Sequence, residues 1–251
     1  MGGERALEGE RMKAIYRDIY LDLKAEITRG TYPYQSFLPS ESELVQHYGC
    51  SHNTVRRALA MLADEGCVQP IHGKGVRVIS KISDDRAQFS FGSIESYSEA
   101  VKTAGIESTT AVRLFETVRA NEYLANVTGF PLGEELWHIE RVRTVNGKRL
   151  IRDLNYFSVE QVPNLTEEIA SGSIYSYLED ELGFVVAVSN RVLTVERATP
   201  EDFEALDMED YHSLAVVSGQ MFTQDGLHVE STQSRHRQDY FAFRYTSRRN
   251  K

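Results

Sequence analysis

The chain has 251 residues, 41% hydrophobic and 26% charged, with a formal net charge of −9, and that length suffices for two domains that each bury a core. No apolar run approaches the ~20 residues a membrane span needs, and the polar opening, Met1 to Arg11, has no signal-peptide pattern. Cys50 and Cys67 are the only cysteines, too few for a disulfide framework, so the expectation is a cytoplasmic protein with no membrane partner.

The acidity is unevenly placed. Residues 12–79 carry eight Lys and Arg against seven Asp and Glu, whereas residues 88–251 carry sixteen against twenty-five. Nucleic-acid binding depends on local Lys and Arg, so the negative total does not oppose it in the first segment.

Ile15, Ile19, Leu23 and Ile27, flanked by Tyr16 and Tyr20, predict an amphipathic helix that ends at Gly30 ahead of Pro33. Ser40 with Glu43 forms a capping box, so a short helix starts at Glu41, uses Leu44, Val45 and Tyr48 as its apolar side, and stops at Gly49. After the turn Gly49 to Ser51 a second helix begins, which is helix-turn-helix spacing. Val55, Leu59 and Leu62 form its buried stripe, leaving His52, Asn53, Arg56 and Arg57 on the outer face. Cys67 to Ile71 and Val76 to Ile79 read as two strands joined by the glycine turn His72-Gly73-Lys74-Gly75, a wing that brings Lys74 and Arg77 toward phosphates.

The predicted DNA contacts are therefore Ser40, Glu41, Ser51, His52, Asn53, Thr54, Arg56, Arg57, His72, Gly73, Lys74 and Gly75. The competing reading is a solvated helix face, and the adjacent wing favours double-stranded DNA. Residues 12–79 form this domain. Ser80 to Ala87 is polar, mixed in charge and without apolar periodicity, a linker over residues 80–87.

Residues 88–251 read as an antiparallel sheet with helices, making the whole chain α+β. A helix is predicted from Ser96 to Ala104 and another from Ala120 to Gly129. Leu136 to Val145 alternates, turns at Asn146-Gly147 and returns over Arg149 to Phe157. Helices are predicted for Ser173 to Leu182 and Thr199 to Met208, with a strand over Val185 to Arg197 between them. Ser213 to Thr223 and Leu227 to His236 form a second hairpin.

Arg141 and Arg143 lie two apart and share one face of a strand, with Asp153 across the hairpin. Two converging guanidiniums suit an anion, and phosphate accepts their forked donors. The alternative is a strand face balanced by Glu140 or Asp153. Ser96, Tyr97 and Ser98 at a helix start add hydroxyls and free N–H groups, as do Ser173 and Tyr175, although Ser173 could simply cap and Tyr175 could simply pack. No metal site is expected, because His47, Cys50, His52, Cys67 and His72 lack paired zinc-ligand spacing. No cofactor is expected either: Gly75 follows Gly73-Lys74 where a phosphate loop needs Ser or Thr.

Leu38-Pro39-Ser40-Glu41, the Thr54-Val55-Arg56 and Ala58-Leu59 core, and the Gly73-Lys74-Gly75 wing together resemble the DNA-binding domain of GntR-type bacterial transcription regulators. Ser42 and His52 stand where that family often has Arg, which implies a different base preference. From about Gln88 onward the chain resembles the effector domain of the HutC-type branch, whose fold is shared with chorismate lyase.

Within that branch, Asp153 with Tyr156-Phe157, Ser173-Ile174-Tyr175 to Gly183, Glu230-Ser231 and Ser234 to Arg237 resemble repressors of trehalose utilisation. That likeness implies trehalose 6-phosphate as inducer and a homodimer on a palindromic operator. It further implies that Arg141, Arg143, Ser173, Tyr175 and residues 96–98 line a phosphate end, and that Asp153, Glu230 and His236 line a sugar end, where carboxylates accept from neighbouring hydroxyls. His236 stands where the branch commonly has an aromatic. Glu230 could instead be a solvated strand residue and His236 a structural one. Two further readings stay open: an enzyme acting on a sugar phosphate or aromatic acid with an appended winged helix, and a winged helix that binds protein.

Overall fold

The computed structural model describes residues 2–80, 87–90, 97, 101 and 106–244, which fall into two compact units, one within residues 1–85 and one within residues 86–243. In the first unit, helix α1 (Gly2–Arg29) turns Ile19, Tyr20, Leu23 and Ile27 onto its buried side, as helical periodicity requires. Ile15, counted with them in the sequence, is 38% exposed.

Helix α2 (Glu41–Tyr48) starts at the expected box: the Ser40 hydroxyl accepts the Glu43 N–H at 3.3 Å, and the Glu43 carboxylate accepts the Ser40 N–H at 2.7 Å. Such a cap contributes about 1 kcal/mol. Gly49 closes the helix at φ 61°, a conformation in which a side chain would be strained. Ser51 then caps helix α3 (His52–Asp64), accepting the Thr54 N–H at 3.2 Å. Val55, Ala58, Leu59 and Leu62 of α3 pack with Leu44 and the α1 residues in one core. The Tyr20 hydroxyl donates to Glu65, and Lys24 pairs with the same carboxylate at 2.9 Å, fixing α1 to the end of α3.

Strands β1 (Val68–Ile71) and β2 (Gly75–Val78) pair antiparallel to form the wing. Gly73 at φ 71° and Gly75 at φ 106° shape its tip, which is why glycine is needed there.

In the second unit, β3 (Ala87–Ser90) pairs with β10 (Phe241–Arg244). The main sheet is antiparallel, in the order β4 (Ser108–Arg119), β5 (Glu135–Val145), β6 (Lys148–Ser158), β9 (His228–Arg237), β8 (Ser213–Thr223), β7 (Val186–Arg197). The β5–β6 hairpin turns through Asn146 at φ 48° and Gly147 at φ 79°, the left-handed pair that matches strand twist. Among the described residues, the short helices α4 (Glu122–Thr128), α5 (Glu167–Ser171), α6 (Ile174–Ser176) and α7 (Pro200–Ala205) accompany the sheet.

One sheet face contributes Ile139 and Phe157 to a core with Ala170, Ile174 and Leu178, and the other contributes Val142, Leu214 and Val216 to a core with Ala205, Leu206 and Met208. The fold is the expected α+β arrangement, with the helices shorter than the sequence predicts. The segment after Ser176 winds as a π-helix over Tyr177–Glu181, with Leu182 N–H reaching the Tyr177 carbonyl. Helix α7 stops because Leu206 turns extended, at ψ 154°, carrying Leu206 and Met208 into the core. Most of the helix expected over residues 96–104, including Ser96 and Ser98, lies outside the described residues.

Candidate functional site

Two surfaces carry the chemistry. In the first unit the buried stripe of α3 forces His52, Asn53, Arg56 and Arg57 outward, and all four are exposed. Arg56 donates from Nε to Glu41 Oε2 at 2.8 Å, and His52 Nδ1 lies 3.9 Å from the same oxygen. Glu41 of α2 thus holds Arg56 at the front of the turn, with His52 beside it. The Arg57 guanidinium sits over the Tyr16 ring at 4.3 Å, a cation–π contact to α1. Tyr16, Ser51, Asn53, Arg56 and Arg57 line a shallow cleft of about 510 Å³.

Thr54, predicted as a contact, is buried and bonded through its hydroxyl to Ser51 at 2.9 Å, so it stabilises the helix start. Ser40 is likewise engaged with Glu43. His72, Gly73, Lys74 and Gly75 are exposed at the wing tip. Arg77, read from sequence as a phosphate contact, instead lies over Phe37 at 4.6 Å, with Phe37 bridging the wing.

In the second unit, strand register gathers a polar cluster on one sheet face. Arg141 stands opposite Asp153, which stands opposite Ser234. In neighbouring rows Thr110 faces Arg143, Asn155 faces Thr232, Ile151 faces His236, and Phe157 faces Glu230. Arg141, Arg143, Asp153, Asn155, Glu230 and His236 are all buried.

Their hydrogen bonds interlock. Arg143 Nε donates to Asp153 Oδ2 at 2.6 Å and its Nη1 to Thr110 at 3.1 Å, while its guanidinium stacks over Tyr97 at 4.0 Å. Arg141 donates twice to Asn155 Oδ1 and once to the Ala170 carbonyl. The Asn155 amide donates to Glu230 at 2.7 Å, and the Tyr175 hydroxyl donates to the other Glu230 oxygen at 2.8 Å. Ser234 donates to Asp153 at 2.6 Å. Residues that the resemblance sets at opposite ends of a ligand are thus bonded to one another, Arg143 to Asp153 and Tyr175 to Glu230. Ser173 acts as the α6 cap, accepting from the Ser176 N–H at 3.2 Å.

Burial sets the electrostatics. It lowers the Arg141 pKa to about 10, with the neighbouring Arg143 charge adding to the effect. Burial raises Glu230 despite its bonds to Tyr175 and Asn155, and it lowers His236 to about 4, so that imidazole is neutral near pH 7. For Asp153, burial opposes ionisation but the two arginines and Ser234 outweigh it, and its pKa falls.

Sequence reasoning missed Asn155, Thr110 and Thr232, and it gave Ser234 a place in the family resemblance without a site role. The signal was available in part: Asn155 is two residues beyond Asp153, and Thr232 and Ser234 lie between Glu230 and His236 with the same period-two spacing.

Comparison with known proteins agrees with both halves of this description. Residues 15–78 match the family of bacterial regulatory proteins, gntR family, and residues 103–242 match the UTRA domain. The chain is 37% identical over 233 residues to the HTH-type transcriptional regulator TreR of Bacillus subtilis, covering 93% of this chain and 97% of that protein. It is 23% identical to the mannosyl-D-glycerate transport/metabolism system repressor MngR of Escherichia coli, over 94% of this chain and 97% of that one. The solved effector binding domain of the B. subtilis trehalose repressor superposes with a TM-score of 0.53 at 35% identity, covering 57% of this chain and 99% of that one. The possible transcriptional regulator YydK of B. subtilis superposes with a TM-score of 0.75 at 19% identity, over 94% of this chain and 99% of that one, a likeness of fold. The chain belongs to the GntR family of bacterial transcription regulators, in the HutC-type branch that joins a winged helix-turn-helix to a UTRA domain, and is a regulator rather than an enzyme.

Proposed function

We propose that the chain is a homodimeric repressor of a trehalose-utilisation operon, released from its operator by trehalose 6-phosphate. The observation that carries this reading is the buried cluster of Arg141, Arg143, Asp153, Asn155, Tyr175 and Glu230 on one sheet face. Burying two arginines and two carboxylates costs several kcal/mol of desolvation that a plain core avoids, so a cluster of this kind points to ligand recognition. Arginine forks suit a phosphate, and Asp153, Asn155 and Glu230 suit sugar hydroxyls. Similarity to the B. subtilis regulator TreR, whose solved effector domain is described as that of a trehalose repressor, supports the choice of disaccharide.

The arginines are satisfied by protein acceptors. An entering phosphate would take over those donors, so ligand binding would rearrange the cluster. Such a ligand can release DNA only if it binds better to the dimer geometry whose reading heads do not fit the operator. Operator binding titrated with trehalose 6-phosphate, trehalose and glucose 6-phosphate tests this. Release by the disaccharide phosphate at far lower concentration than by the other two is the expected outcome, and equal potency of trehalose itself would overturn the assignment.

A further inference from the structure

Gly219 stands in the middle of β8, where the backbone does not call for glycine: its φ is not left-handed, and in a strand interior a glycine forfeits packing and stability. What it provides is room. A Cβ built there would lie 3.5 Å from Arg191 Cγ on β7, 3.5 Å from the Thr232 methyl on β9 and 3.3 Å from the Asn190 carbonyl oxygen. Register explains the meeting, since Asn155, Thr232, Gly219 and Arg191 stand in one row across β6, β9, β8 and β7. Residues directly opposite share a sheet face. That face is the one carrying the buried polar cluster, in which the Asn155 amide donates to the Thr232 hydroxyl at 2.9 Å.

Arg191 leans from the outer strand toward that cluster. Its stem borders the space above Gly219, and its Nε donates to Ser189 Oγ at 3.0 Å, which brings the guanidinium to the next row, where Glu230, Met221 and Ser189 stand opposite one another. In that row the Tyr175 hydroxyl lies 2.8 Å from Met221 Sδ and 2.8 Å from a Glu230 oxygen. Burial and the Glu230 carboxylate hold the Tyr175 phenol well above its ordinary pKa, and the Arg191 charge acts against them. We infer that the effector site extends across β8, and that Arg191, laid over Gly219, is a specificity-determining residue that donates to hydroxyls of the sugar ring remote from the phosphate. Strands β5 and β7 are four spacings apart, roughly 19 Å, so a phosphate captured by Arg141 and Arg143 is remote from Arg191. A second ring carries hydroxyls to it. A guanidinium only donates, which suits those oxygens, while the Thr232 and Ser189 hydroxyls beside it can donate or accept. This inference rests on the reading of the ligand as a disaccharide phosphate and names the groups that distinguish it from a monosaccharide phosphate.

Titration calorimetry on the full chain, with trehalose 6-phosphate and glucose 6-phosphate as the two probes, tests this. The parent should prefer the disaccharide phosphate. Arg191→Ala should weaken trehalose 6-phosphate at least about tenfold, the scale of a lost hydrogen bond from a charged group, and leave glucose 6-phosphate unchanged. Gly219→Val, which forces the Arg191 stem aside, should act in the same direction, and Arg191→Lys, which keeps a cationic donor, should recover part of the loss. Circular dichroism checks folding, and operator affinity without ligand should be the same in every variant, which separates a lost ligand contact from a damaged fold. Arg191 is half-buried on an outer strand, so its alanine variant decides the matter alone if Gly219→Val does not fold. A parent that binds both phosphates equally, or neither, overturns the disaccharide reading and this subsite together. A parent that prefers the disaccharide phosphate, with the preference intact in Arg191→Ala, overturns the subsite alone. So does an equal loss for both phosphates, which would set Arg191 on the phosphate.

Discussion

Arg143 and Asp153 form an ion pair of 2.6 Å between adjacent strands, with both side chains almost wholly shielded from water. Neither charge is well served alone, since Ser234 supplies the carboxylate with one further donor and Thr110 the guanidinium with one further acceptor. Breaking such a pair by removing one member costs about 3–5 kcal/mol, because the survivor stays buried. Arg143→Ala should therefore lower unfolding stability by that order in urea titration. The double variant Arg143→Ala with Asp153→Ala should recover part of the loss without recovering any ligand response. Additive losses in the double variant would show that the two do not act as a pair.

Acid sensitivity should come from His236 before it comes from Asp153. His236 is lowered from 6.5 to about 4 by burial, so between those values the unfolded chain binds the proton and the folded chain does not. Stability is present above pH 6.5 and is lost as pH falls toward 4, a change of about 3 kcal/mol by linkage. Glu230 acts oppositely: burial raises its pKa above 4.5, so its contribution is full below 4.5 and is lost as pH rises through the folded value. Asp153, lowered below 3.8, adds a loss only in more acid solution. Comparing the parent with His236→Phe between pH 7 and 5 isolates the first term. An unchanged slope would mean that His236 is solvated or charged.

Asp202 should anchor α7 to the sheet. It is fully buried, accepting from Arg152 at 3.1 Å and from Arg235 at 2.9 Å, while its other role is to cap the same helix by accepting the Thr199 N–H. Asp202→Ala leaves two buried guanidiniums, Arg152 and Arg235, without their shared acceptor and removes half of a capping box, so a loss of about 3–5 kcal/mol in urea unfolding is expected. Asp202→Asn should be milder. A loss under about 1 kcal/mol for the alanine variant would mean that the arginines find other acceptors.

DNA reading should show a division between α3 and the wing. Arg56→Ala should cost about 1–3 kcal/mol of sequence discrimination, and Lys74→Ala should weaken binding to all duplexes alike and reduce the salt slope by about 1. Glu41→Ala should release Arg56 from its 2.8 Å partner, raising non-specific affinity more than operator affinity. Equal operator preference in all three proteins would remove the α2–α3 front from the reading surface.

The winged helix was legible because its signals are local: a capping box, a glycine stop, a second cap and a glycine turn fall within residues 40–75. The β5–β6 hairpin was legible for the same reason, through Asn146-Gly147. Strand β4 escaped because the bulge at Val112/Leu114 breaks its alternation, and α5 is too short for helical periodicity to register. Arg141, Arg143 and Asp153 could be grouped from one hairpin. The link from Asn155 to Glu230 spans seventy-five positions and depends on β9 lying beside β6, which no local pattern announces. The bond from Tyr175 to Glu230 is likewise long-range.

Ligand response should fail differently at the two halves of the cluster. Arg141 is held by Asn155 and by the Ala170 carbonyl at the base of α5, so a phosphate that captures its guanidinium must draw on groups that also position the helix. Arg141→Ala should abolish most response to trehalose 6-phosphate, with an affinity loss on the order of 2–5 kcal/mol, while operator binding persists because no residue of the reading surface is touched. Asn155→Ala removes the link between Arg141 and Glu230 and should leave phosphate attraction in place while reducing the preference for trehalose 6-phosphate over glucose 6-phosphate. Calorimetry with the two phosphates separates these outcomes. A full phosphate preference in Arg141→Ala, or a lost phosphate preference with intact sugar discrimination in Asn155→Ala, would reverse the roles assigned to the two residues.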